Sequence, residues 1–340
     1  MITEKINRGN VSYEKSVSRV AEILQKGGIV AIPTETVYGL AASAYDENAI
    51  KNIFIAKGRP QDNPLIVHIC DMDMLEVVAK DIPQKAYMCA QKFWPGPFTM
   101  VLQRTDKTAE CVSAGLKTVA VRMPMDKTAI DIIKKSGLPL AAPSANVSGK
   151  PSPTSALHVE SDLDGVIDAI FYGDECEVGV ESTVVSFTEE PPRLLRPGAV
   201  TLEQLKEIIP DIAVDSAVLA EPQKDKPVAS PGMKYKHYAP KTECFLIEAE
   251  SKDFCDFVNL QTNSAAICFN EEKENITVSS ITYGSYKNGS TLAQGLFAAL
   301  RNVDSLNAEK VYIHAPDKTG VGLAVYNRLI RAAAFKVIKL

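Results

Sequence analysis

None of the chain's seven cysteines stands in a C-x-x-C pair. Cys70, Cys89, Cys111, Cys176, Cys244, Cys255 and Cys268 are scattered and odd in number, which argues against a disulfide framework or a zinc ribbon and predicts reduced, mostly buried thiols. Histidine is scarce too: His68, His158, His237 and His314 show no metal-ligand spacing, so no protein-held metal is expected. No apolar run reaches the length of a membrane span, and the opening "MITEKINRGNVSYEKS" carries no apolar signal-peptide core. Both predict a cytoplasmic protein with no membrane role. G-x-G-x-x-G is missing, and Gly149-Lys150 is followed by Pro151 without the upstream glycine of a Walker A loop. No Ser-His-Asp arrangement can be argued either. A net charge of −5 counts against a protein whose main task is coating nucleic acid.

What remains is an ordinary globular composition, 46% hydrophobic and 23% charged, on a chain of 340 residues that predicts two domains. Val17, Val20, Ala21 and Leu24 mark one helical face, and "IVAI" (29–32) reads as a short buried strand. Asp46 can cap a helix with Ile50, Ile53 and Phe54 on its apolar side. Strand signals follow at 65–69, 98–102, 119–122, 139–142, 168–172, 183–187 and 193–196, with helices at 82–94, 126–136 and 201–209. Several strands are separated by turns alone, which predicts a mixed sheet. Beyond Pro240 a second βα series runs to the last residue: strands at 244–248, 265–269, 310–315 and 336–340, helices at 251–260, 291–301 and 322–334. That pattern suits a small Rossmann-like layer, and without a phosphate-loop motif it implies no dinucleotide.

Chemistry-bearing residues gather where strands end. "PTETVYGL" (33–40) places Thr34, Glu35, Thr36 and Tyr38 directly after a buried strand, as a strand-to-helix turn with capping hydroxyls or as a polar pocket. "KGRPQDNP" (57–64) holds Lys57 and Arg59 in a Pro-bounded loop, readable equally as a solvated basic turn or an anion site. Arg122, in the apolar run "VAVRMP", needs a partner; an anion suits it better than a structural ion pair. "APSANVSGKPSPT" (142–154) offers hydroxyls and backbone N–H groups to phosphate oxygens, "GVESTVV" offers Ser182 and Thr183, and "LLRPGA" repeats the strand-end arginine with Arg196. The inventory predicts an enzyme that binds a polyanion and a small polar substrate, working by positioning and charge neutralisation.

Taken together, "PTETVYGL", "AKGRPQDNPLIVHI", "FWPGPFT", "TVAVRMP", "APSANVSGKPSPT", "GVESTVV" and "LLRPG" resemble, in order, the YrdC-like family, in the long two-domain form of the threonylcarbamoyl-AMP synthases. The resemblance covers about residues 15 to 210, and "SPGMKYKHYAP" (230–240) with the α/β region after it resembles the long form's extension. It implies a twisted mixed-sheet YrdC-like domain over 1–212, an interdomain linker over 213–241 and the Rossmann-like domain over 242–340. It implies a nucleotidyltransferase that joins L-threonine, bicarbonate and ATP into threonylcarbamoyl-AMP and pyrophosphate. A partner transferase would then modify adenosine 37 of tRNAs reading codons that begin with A. By this resemblance Thr34, His68, Arg122, Ala142 and Ser182 surround threonine. Lys57, Arg59, Asn63, Thr118, Ser144, Asn146, Ser152, Arg196, His237 and Tyr238 hold ATP or the bicarbonate-derived group, with Lys57 and Arg59 acting on the departing pyrophosphate. Mg²⁺ is expected on the phosphates, held by ATP and water.

Two rivals carry different implications. A YrdC-like module that grips double-stranded RNA or tRNA without synthase activity would show steep salt dependence and no ATP consumption. A carbamoyl-transfer enzyme of hydrogenase maturation would need an acylphosphatase-like region and C-x-x-C repeats, and neither is present. The linker is the remaining oddity, since Tyr235, His237 and Tyr238 stand among Lys234, Lys236 and Lys241. The expectation is a segment folded over the site mouth on the nucleotide side; the plainer alternative is a tether whose aromatics dock on a domain surface.

Overall fold

The computed structural model describes residues 2–7, 12–220 and 238–340. Within them two sheets form in sequence order, the first of twelve strands and the second of five. The first is mixed, as expected. Val30–Ile32 pairs antiparallel with Gly39–Ser43, which pairs antiparallel with Leu140–Ala141, while Ile66–His68 and Thr118–Arg122 run parallel. The second sheet is parallel throughout, with Glu243–Glu248 and Ser264–Cys268 both beside Lys310–His314. That is the layer anticipated beyond Pro240, with one strand more, Ser279–Thr282. The first sheet also takes in Ala213–Val214, two residues beyond the boundary at 212.

Local sequence explains the elements that carry the site. Asp46 caps the helix Glu47–Lys57 by accepting from the amides of Asn48 and Ala49, and Ile50, Ile53 and Phe54 bury its inner face. Gly58, at φ 57°, ends that helix in the left-handed conformation and turns the chain toward Arg59. Lys57 is therefore the last residue of a helix and not part of a free loop.

The turn after Ile32 departs from the expected strand-to-helix step. "PTETVYGL" leads from one strand into the antiparallel strand Gly39–Ser43, whose five residues are all buried. Tyr38 belongs to the core, fully buried with its hydroxyl donating to the Gly173 carbonyl at 3.0 Å.

The second layer docks on the first through the helices Gly289–Asn302 and Gly320–Ala332. Val37 and Val180 of the first domain pack into the same buried cluster as Leu296, Phe297 and Val325 of the second. Asn327 donates to the Val218 carbonyl at 2.6 Å and Arg331 to the Ala217 carbonyl at 2.7 Å. No helix among the described residues is long and apolar enough to cross a membrane.

Candidate active site

A single pairing row crosses the first sheet at one end. His68 faces Arg122, Arg122 faces Thr99, Thr99 faces Val184, and Val184 faces Arg196. Arg122 and Arg196 are thus three strand spacings apart, ~14 Å at ~4.8 Å per spacing. Between them lies a cleft lined by groups from several strand ends and loops.

Twelve of the fifteen residues expected at the site line this cleft. They are Thr34, Lys57, Arg59, His68, Arg122, Ala142, Ser144, Asn146, Ser152, Ser182, Arg196 and Tyr238. Asn63 is buried beside it, its carbonyl 3.4 Å from an Arg59 Nη2. Thr118 is not in the lining: it begins the strand that Arg122 ends, ~13 Å away at ~3.3 Å per residue, and pairs with Gln103. His237 lies outside the described residues, as do residues 230–236 of the quoted linker string.

Each cation is held differently. The Lys57 ammonium donates to the carbonyls of Ser144 and Asn146, the latter at 2.6 Å, and so fastens the loop after Ala142. Its burial, reinforced by the Arg59 charge, drives its pKa well below the usual lysine range. Arg122 is committed to protein as well as to the cleft. Its Nε donates to the Gly96 carbonyl at 3.2 Å, its Nη1 to the Thr36 hydroxyl at 2.7 Å, and its Nη2 lies 2.6 Å from Glu35. The structural ion pair held open as the alternative is thus present, and an anion in the cleft would share Arg122 with Glu35. Arg196 donates from Nε to the Ser182 carbonyl at 3.0 Å and from Nη2 to the Ser182 hydroxyl at 3.2 Å. Burial and the neighbouring Arg328 bring its pKa down to about 10.

The neutral groups supply directed hydrogen bonds. Burial, helped by the Arg122 charge, pushes the His68 imidazole down to about 3, so it is uncharged at any physiological pH. The Asn146 amide donates to the carbonyls of Val147 and Lys150, each at 2.9 Å. Its Oδ1 stays buried with no hydrogen-bond partner among the described residues, which suits an N–H group on a ligand. Ser182 Oγ and Thr99 Oγ1 are 2.8 Å apart, and Thr34 Oγ1 donates to the Val37 carbonyl at 2.6 Å.

Among the lining residues outside the expected set is an acid. Glu181, within "GVESTVV", accepts from the Ser152 hydroxyl at 2.6 Å and from Arg328 Nε at 3.0 Å. Burial would raise its pKa, but the Arg328 and Arg196 guanidiniums together with Ser152 hold it below the usual range. An acid just ahead of an apolar strand run was the available signal. With both its oxygens engaged, Glu181 offers no protein cage for a cation, and no cluster of three or more His, Cys, Asp or Glu among the described residues does so.

The chain is similar to known proteins. A family model described as "Telomere recombination" (Sua5_yciO_yrdC) matches residues 22–198, and one described as "Threonylcarbamoyl-AMP synthase, C-terminal domain" matches 200–334. The threonylcarbamoyl-AMP synthase of Pyrococcus abyssi is 45% identical over 96% of both chains. That of Bacillus subtilis is 43% identical over 96% of this chain and 95% of its own. A crystal structure of P. abyssi Sua5 complexed with L-threonine superimposes with a TM-score of 0.90 at 41% identity, covering 100% of both chains. The chain belongs to the Sua5/YrdC family, among the two-domain threonylcarbamoyl-AMP synthases.

Proposed function

We propose that the cleft carries out an adenylyl transfer, making the protein a nucleotidyltransferase that uses L-threonine, bicarbonate and ATP. The observation that supports this most directly is the convergence of Lys57, Arg59, Arg122 and Arg196 with hydroxyl and amide groups in one cleft. Such a set suits a triphosphate beside a small zwitterion.

Threonine would lie toward Thr34, His68, Arg122 and Ser182; the related P. abyssi protein has been crystallised in complex with L-threonine. The threonine amine adds to CO2, which bicarbonate supplies by losing hydroxide, and gives up a proton to become a carbamate. A carbamate oxygen then attacks the α-phosphate, the α–β bridging P–O bond breaks, and pyrophosphate leaves with that electron pair, its negative charge met by Lys57 and Arg59. A phosphate beside Lys57 would oppose the depression and favour its ammonium form. The neutral His68 would act as a hydrogen-bonding group beside the amino acid. Mg²⁺ is proposed to arrive on the ATP phosphates with water as its other ligands, in keeping with the engaged state of Glu181. The product would pass to a threonylcarbamoyl transferase acting on tRNA in the cytoplasm.

The test is pyrophosphate release by the purified chain, together with mass detection of the adenylate. Release is expected only when threonine and bicarbonate are both present, with threonylcarbamoyl-adenylate as product. Release indifferent to threonine would overturn the reading. RNA affinity without ATP turnover would favour the RNA-binding alternative.

A further inference from the structure

We propose that Arg328 and Arg301, on the two helices by which the C-terminal domain docks, are positioning residues for the nucleotide side of the cleft. This rests on the assignment of Ser152 and Arg196 to ATP. Neither arginine lines the cleft; each acts through a residue that does, or through its immediate neighbour.

Arg328 is fully buried, and it grips Glu181 twice. Its Nε donates to the Glu181 carboxylate at 3.0 Å and its Nη2 to the Glu181 backbone carbonyl at 3.1 Å. Its Nη1 donates to the carbonyl of Pro197, the residue after Arg196. The other carboxylate oxygen of Glu181 holds the Ser152 hydroxyl at 2.6 Å. A continuous chain therefore runs from the C-terminal domain through Glu181 to a hydroxyl on the cleft wall. Arg301 reaches the same wall one residue earlier. Its Nη2 donates to the Pro151 carbonyl and lies 2.8 Å from Asp162, which also takes the Lys150 ammonium at 2.9 Å. Lys150, Pro151 and Ser152 are thus each tied, directly or through one carboxylate, to the second domain.

Charge explains why this chain needs Arg328 and not just any docking contact. Glu181 is a carboxylate in a cleft suited to a polyanion. With both its oxygens committed it presents no free negative edge to a phosphate. Without Arg328 the carboxylate is left buried and poorly compensated beside Arg196, and it competes with the phosphates for that arginine. A pair that only fastened two domains would not need to end on the cleft wall.

The test uses the full chain and steady-state pyrophosphate release, with the unfolding midpoint measured in parallel. Arg328→Gln is expected to raise the KM for ATP about tenfold or more while the KM for threonine stays within about twofold. Adding Glu181→Gln removes the stranded charge, and the double variant is expected to recover the ATP KM to within about threefold of the parent. Three results would overturn the proposal: a double variant no better than Arg328→Gln, a fall in unfolding midpoint with both KM values unchanged, or a rise confined to threonine. Should Arg328→Gln fail to fold, Arg301→Gln reads the same wall through Pro151, with an ATP KM about threefold higher expected and an unchanged one contradicting the proposal. An unsubstituted chain without threonine-dependent release would instead sink the functional reading, so the two failures are separable.

Discussion

Arg122 Nη2 lies 2.6 Å from Glu35 Oε1, and both side chains are less than 5% exposed. The residue best suited to meeting a substrate carboxylate is thus also half of a buried ion pair, and Arg122→Ala will do two things at once. Leaving Glu35 without its counter-charge is expected to cost roughly 3–5 kcal/mol of stability. Threonine use should also suffer more than ATP binding. Glu35→Gln combined with Arg122→Ala separates the effects: the urea midpoint should recover part of its loss while the threonine KM stays high. If the double variant is as unstable as the single one, the ion pair is not the source of the damage.

Lys57 is expected to organise the empty cleft as well as the loaded one. Lys57→Met keeps the stem but leaves the Asn146 carbonyl without its donor, at about 1–3 kcal/mol for a buried unpaired group, while the Ser144 carbonyl keeps only the Asn146 amide. The amides of residues 144–150 should then exchange faster in the unliganded protein, and the ATP KM should rise. A higher ATP KM with unchanged exchange would restrict Lys57 to the ligand alone.

How far the strings reached depends on how local their physics is. Strand-end strings such as "VAVRMP" and "LLRPG" exposed the site because a charge at the margin of an apolar run demands a partner nearby. "GLAAS" (39–43) did not read as a strand, since glycine and alanine lack the β-branched signature; pairing on both edges and full burial decide its conformation. Ser279–Thr282 and Ala156–Leu163 are short and were missed for the same want of periodicity. The Glu181–Arg328 pair spans 147 residues, and no period or motif links two such positions. Arg328 and Arg331 within "GVGLAVYNRLIRA" did carry a signal of the kind that singled out Arg122: cations on an otherwise apolar helix.

Acid should destabilise the protein well above the carboxylate range. His68 titrates at about 3 and His158 at about 4 when folded, against 6.5 for an ordinary histidine, chiefly because both are buried. The unfolded chain therefore takes up these protons first as pH falls, and stability declines from about pH 6.5 down to the folded values. The unfolding midpoint should be lower at pH 5 than at pH 7.5. His68→Gln, which cannot take up that proton, should flatten the difference. Identical profiles for the two proteins would contradict the assignment of a neutral buried His68.

Gly179 offers the sharpest test of domain docking. It adopts φ +76°, and a Cβ there would lie 2.5 Å from the Gln294 Cα and 2.6 Å from the Ala293 carbonyl oxygen, both in the backbone of the helix Gly289–Asn302. Gly179→Ala must therefore both strain its own backbone and push that helix away, because neither contact is a side chain that can rotate aside. Gly137, at φ +67° with nothing within 4 Å of a built Cβ, isolates the strain term. Gly137→Ala should cost about 1 kcal/mol and leave activity unchanged. Gly179→Ala should cost more, speed amide exchange across 289–302, and raise the ATP KM in the same direction as Arg328→Gln. If the two alanine variants behave alike in exchange and in KM, the close approach of Gly179 to the helix does not hold the docked arrangement.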